Sequence, residues 1–151
     1  MTRKIAFYSI ASLSLALSSN ALALTFNGDI CYKVRYTQRE TGAVNESINI
    51  KLHVKSLDAN TCVAHSVITV PGDNPAFVSG TCSIGPTNIY LNLVETQVHK
   101  ENWVDSEIMQ VRLDPATLNG TIRVFSHDYD TMTHSFGDGY ASGTLTKIVC
   151  R

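Results

Sequence analysis

The stretch Ile48-Asn49-Ile50-Lys51-Leu52-His53-Val54-Lys55 alternates apolar and polar side chains without a break. Successive side chains of an extended strand point to opposite faces, so Ile48, Ile50, Leu52 and Val54 share one face and a wholly polar set takes the other. Wound as a helix, the same four residues would scatter around the circumference. The run is a half-buried strand. Residues 30–37 repeat the pattern, with Ile30, Tyr32, Val34 and Tyr36 alternating with Cys31, Lys33, Arg35 and Thr37.

Working outward, six further strands are predicted at Thr61–Val70, Ala76–Ser83, Asn88–Val98, Glu107–Leu113, Thr121–Ser126 and Ser142–Cys150. Thr41-Gly42, Asp58-Ala59-Asn60, the Pro71–Pro75 segment, Gly85–Asn88 and Asp114-Pro115 supply the turn chemistry between most of them. No helical periodicity appears beyond one short turn at 114–118. His127 to Ala141 reads as one long irregular loop. Eight short strands with local connections predict an all-β domain: an eight-stranded antiparallel up-and-down, calycin-like barrel, with a β-sandwich as the alternative.

The cysteines favour the barrel. In a meander closed on itself the first and last strands pair antiparallel, so Cys31 and Cys150 become neighbours. Cys62 opens one strand of a hairpin and Cys82 closes the other, so they too lie side by side. The expected bridges are Cys31–Cys150 and Cys62–Cys82, although four cysteines allow two other connectivities and a sandwich also brings termini together. No CxxC spacing points to a zinc ribbon or a thioredoxin-like redox pair.

Disulfides require an oxidising compartment, and the N-terminus supplies an address. Arg3 and Lys4 precede a mostly apolar stretch from Ile5 to Leu17, and Ala21-Leu22-Ala23 gives a small-x-small cleavage pattern. This is the layout of a cleavable secretory signal, residues 1–23, followed by a single disulfide-braced domain over 24–151. The expected location is periplasmic or secreted. The whole chain carries a net charge of −1. Loss of Arg3 and Lys4 leaves ten basic against thirteen acidic residues and a net charge of −3. With no basic run, nucleic acid is not an expected partner. No later segment is long and apolar enough for a spanning helix. The apolar faces of the strands are read as inward and the polar ones as outward, the reverse of a small outer-membrane barrel.

Chemistry is sparse. Ser126-His127-Asp128-Tyr129-Asp130 and His134 form the most polar cluster, and His127, Asp130 and His134 are the candidate centre for a metal or enzyme reading. Their spacing matches neither HExxH nor a calcium loop, and turn residues in a solvated loop account for it equally. His65 and Ser66 are adjacent and so on opposite strand faces, which excludes them as a base and nucleophile pair, and no G-x-S-x-G elbow is present. His65, on the face of Val63 and Val67, is read as a core histidine. Glu95 continues the inward parity of Ile89, Leu91 and Leu93 but is expected to emerge at the rim. Trp103, the single tryptophan, lies in a polar connection, where it anchors a partner or plugs the barrel end. Tyr32 and Tyr36 point inward by parity, as core bulk or as hydroxyl donors to a ligand.

Leu24-Thr25-Phe26-Asn27-Gly28-Asp29-Ile30-Cys31 resembles the mature start of fimbrial subunits, which carry a short Phe-x-Gly-x-Ile stretch before a cysteine. The resemblance covers eight residues. The chain end, Lys147-Ile148-Val149-Cys150-Arg151, departs from the β-zipper with penultimate Tyr of that family, so no pilus role is carried over.

These observations lead to an exported, non-enzymatic barrel that needs no cofactor. It would hold a small ligand or a partner protein through its loops or mouth, with Trp103 and the 127–141 loop as contacts. An inhibitor of a secreted hydrolase is one version. A structural or adhesive sandwich subunit is the alternative, and a metal-binding protein or enzyme centred on the 127–138 loop is the third reading.

Overall fold

The structure is a computed structural model that describes residues 26–69, 71–100 and 103–151; the expected leader, residues 1–23, lies outside the described residues. Eight strands follow one another: β1 Gly28–Arg39, β2 Gly42–Ser56, β3 Thr61–Ile68, β4 Ala76–Ile84, β5 Ile89–Val98, β6 Trp103–Leu113, β7 Gly120–Asp130 and β8 Ser135–Ile148. Each pairs antiparallel with its sequence neighbours, and β1 pairs with β8 to close the barrel. That closure excludes the sandwich alternative.

Chain direction defines two ends. The lower end holds the N-terminal entry, the connections 57–60, 85–88 and 114–119, and both disulfides. Cys31–Cys150 and Cys62–Cys82 form as expected, with Cα atoms 5.2 and 4.9 Å apart, inside the usual range for a bridge. Phe26, fully buried, and Leu118 plug this end. The upper end holds the β1–β2 hairpin, the connections after β3 and β5, and the β7–β8 turn.

Directly paired residues share a face, so the interior is built in cross-strand rungs. Cys82, Leu91, Val111 and Ile122 form one rung, and Leu93, Met109 and Val124 the next one up. All seven are buried. The Ile122 rung continues through Gly143 to Tyr36, where a Cβ on Gly143 would run into the Arg35 backbone. Glycine is needed there because β8 bends tightly against β1.

Three expectations need correction. His127–Ala141 is not a loop: β7 runs on to Asp130, β8 starts at Ser135, and only 131–134 turn. The alternation was hidden because the inward residues here are Ser126, Asp128 and Asp130, not apolar ones. Trp103 does not sit in a connection but opens β6. His65 is exposed, its ring 4.9 Å from that of His53. The pairing of Val54 with Ala64 fixes the inward set of β3 as Cys62, Ala64 and Ser66, and turns Val67 out to solvent. The outer wall is accordingly less polar than expected, with Val94, Ile108, Phe125 and Tyr140 lined up across β5 to β8.

Candidate functional site

Above the Leu93–Met109–Val124 rung the interior changes character. The next rung is Ser66, Val78, Glu95, Glu107 and Ser126, each paired with the one before it. The rung above is Gln97, Asp105 and Asp128, followed at the lip by Trp103 and Asp130. The same alternation that fills the lower barrel with aliphatic side chains therefore aims four carboxyls, Glu95, Asp105, Glu107 and Asp128, into the upper lumen. Glu95 does not emerge at the rim, because β5 continues for three more residues and carries Gln97 above it.

Burial dominates the electrostatics. Glu95 is pushed up to about 7 by desolvation, with Asp105 adding repulsion. Glu107 is likewise pushed up to about 7 by desolvation, then by Glu95. Asp105 is raised by burial first, then by its hydrogen bond with Asp128 and by the nearby charge of Glu107. From β1, the Tyr36 hydroxyl is raised by burial and then by Glu107 and Glu95, which ties it to the same layer. Several polar atoms here are buried without a partner: Ser66 Oγ, Asp105 Oδ1 and Asp128 Oδ1. Such groups cost about 1–3 kcal/mol each when left unpaired.

One wall of the mouth is latched. Asp73, in the connection after β3, accepts from the Lys100 backbone N–H at 2.9 Å and from His99 Nδ1 at 2.5 Å. These contacts hold its carboxyl at about 2, the Lys100 bond first. Gln97 donates to the Asn74 carbonyl at 2.7 Å, and Asn74 to that of Val98 at 2.8 Å. The His99 ring then stacks on Trp103 with centroids 3.3 Å apart. Beside it, on the far edge of β3, lies the shortest seam of the barrel: β2 and β3 pair only from His53 to Ser56. At the lip a pocket of about 480 Å³ is lined by Trp103, Asp128, Asp130, Ser135, Phe136 and Gly137.

Of the residues singled out in the sequence, Trp103 and Tyr36 belong to this end. Asp130 reaches the lip but also caps the β7–β8 turn through the Met132 and Thr133 N–H groups. Tyr32 is fully buried, its hydroxyl unpartnered, lower in the barrel than the carboxyls. His127 faces outward, bonded to Asp138 at 2.5 Å and packed on Phe136. His134 sits in the turn at φ 54° and bonds the Tyr129 hydroxyl at 2.8 Å. His127, Asp130 and His134 thus do not converge. Asp105, Glu107 and Asp128 were missed, although extending the inward parity of Met109 and Val111 backward, and of Ile122 and Val124 forward, reaches all three.

A wider groove of about 990 Å³ runs outside the lower barrel, lined among others by Lys33, Lys51, Lys147 and Arg151. Its charges are solvent-exposed and screened, so each contributes little to holding a ligand, whereas the mouth groups are partly desolvated.

No protein-family model and no curated protein sequence matches this chain. Two solved structures resemble it in outline. One is a redesigned β-barrel, 14% identical, with a TM-score of 0.47 over 85% of this chain and 96% of that one. The other is EF1p2_mFAP2b bound to DFHBI, 14% identical, with a TM-score of 0.47 over 83% of this chain and 95% of that one. At that similarity nothing about ligands transfers.

Proposed function

We propose that this chain is a non-catalytic binding protein of an oxidising, extracytoplasmic compartment, periplasmic or secreted, that holds a small ligand or a protruding group of a partner protein in the upper end of its barrel. The observation that carries this reading is the division of the lumen. Its lower half is plugged by Phe26 and braced by two disulfides. Its upper half gathers buried polar atoms without partners beside a pocket of about 480 Å³, a size typical of ligand sites. A folded chain keeps such a layer against a stability penalty, which function explains better than packing does. None of the five histidines stands on the carboxyl rungs: four bond Asp29, Asp73, Asp138 and Tyr129, and His65 lies on the outer face of β3. The inhibitor version loses its presented loop, because 127–130 and 135–141 are paired strand.

The test is hydrogen exchange of the full mature chain against a mixed library of small ligands and short peptides. Ligands should protect residues 95–106 and 126–138 while leaving 57–60 and 114–119 unchanged. Protection confined to the lower end or the outer wall would sink the reading, and chemical conversion of bound ligands would remove its non-catalytic part.

A further inference from the structure

We propose that the upper lumen is a site for an alkylammonium group, supplied by a free aliphatic amine or by a lysine side chain, held among Glu95, Glu107, Asp105 and Asp128. This rests on the reading of the upper end as the binding end and adds the chemistry of what binds.

Four carboxyls project inward from three adjacent strands. The cations these groups feel are Arg39 and His99. Both are engaged elsewhere: Arg39 holds Glu46 at 2.7 Å and His99 holds Asp73. When they ionise, as at pH 8, these carboxyls have no dedicated counter-ion among the groups that act on them, and the low-dielectric surroundings strengthen their attraction for an incoming cation.

An independent observation points to a ligand. Ser66 is 7% exposed, its Oγ has no partner, and it lies on the same inward rung as Glu95 and Glu107. The hydroxyl is thus aimed into the carboxyl layer with an unused lone pair. An ammonium carries three N–H donors that diverge, matching acceptors arriving from different strands. A planar guanidinium fork suits one carboxylate face better.

The surroundings favour a cation on a carbon chain over a bare metal ion. Among the described residues no group of three or more His, Cys, Asp or Glu side chains is arranged to hold a metal. Met109, Leu93 and Val124 floor the layer, and Trp103 lines the pocket at the lip. Aliphatic methylenes pack on such walls, and aromatic faces attract cations.

The experiment titrates the mature chain at pH 8, followed by amide NMR, with 1,5-diaminopentane and with the peptide acetyl-Gly-Lys-Gly-amide. 1,5-Pentanediol, glutarate and calcium chloride are the comparison probes. At least one amine should shift resonances of Glu95, Glu107 and Asp128 and bind tenfold or more weakly to Glu107→Gln. The diamine binding tighter points to a free amine, and the peptide binding tighter points to a partner's lysine. The proposal falls if the diol or glutarate binds the mouth as tightly, if calcium displaces the amine, or if Glu107→Gln binds unchanged. Diol or glutarate at the mouth without amine leaves the binding end standing and removes only the cation. If no probe shifts the mouth, both readings fall.

Discussion

Glu95 and Glu107 face each other directly across the β5–β6 ladder, inside the barrel. Like charges in that position repel, and here burial adds to the repulsion. The pair is the feature of this fold that packing alone would not select.

A pH dependence follows. Glu95 and Glu107 titrate near 7 when folded against an ordinary value of 4.5. The folded state therefore holds protons that the unfolded chain has already released between about pH 4.5 and 7. Stability is complete below that window, falls as pH rises through it, and levels off above 7. The groups facing the pair are Tyr36 and Arg39 from β1, Asp105 from β6 and Asp128 from β7, with His99 acting on Asp105. Melting followed by circular dichroism should give a higher Tm at pH 5 than at pH 8. Glu107→Gln should raise the Tm at pH 8 and flatten the slope, each kcal/mol recovered being worth about 4 °C. A wild-type Tm that climbs from pH 5 to 8 would contradict this.

Phe26 closes the lower end with no exposed surface, and its carbonyl accepts from Ser56 Oγ at 3.2 Å. Phe26→Ala opens a cavity at the lower end. Chemical denaturation should record a loss of about 3–5 kcal/mol. Amine binding at the opposite end should persist under conditions where the variant remains folded.

Gly143 pairs with Tyr36 on one side and Ile122 on the other, and a side chain there meets the Arg35 carbonyl. Gly143→Ala should cost about 1–3 kcal/mol through backbone displacement. Because Tyr36 moves with it, Tyr36 ring resonances should shift in the variant. Unchanged stability would mean that β1 and β8 have room to separate.

The disulfides brace one end only. Replacing Cys31 and Cys150 together by Ser should lower unfolding free energy by about 4 kcal/mol, and replacing Cys62 and Cys82 by about 3. Urea titration of the two double variants measures the difference, which reflects the longer loop closed by the first bridge, 119 residues against 20.

Much of the fold was legible. Alternation located most of the strands, and the cysteine positions selected a closed meander, because these signals are local or follow from strand ends alone. Legibility failed wherever the inward set stopped being apolar. Ser126, Asp128 and Asp130 made β7 look like loop, and the inward Asp105 hid the first four residues of β6. His65 was misassigned because β3 carries valines outside and Ala64 and Ser66 inside, an inversion set by its register with β2.

By itself, then, the sequence determined an all-β chain, eight strands and two bridges at the lower end, since period-two patterning and chain order suffice for these. Tertiary structure alone decided that Glu95, Asp105, Glu107 and Asp128 share one enclosed layer with Ser66. They come from four strands spread over 63 residues of sequence, and only the register of a closed sheet brings them onto two adjacent rungs with their side chains turned inward.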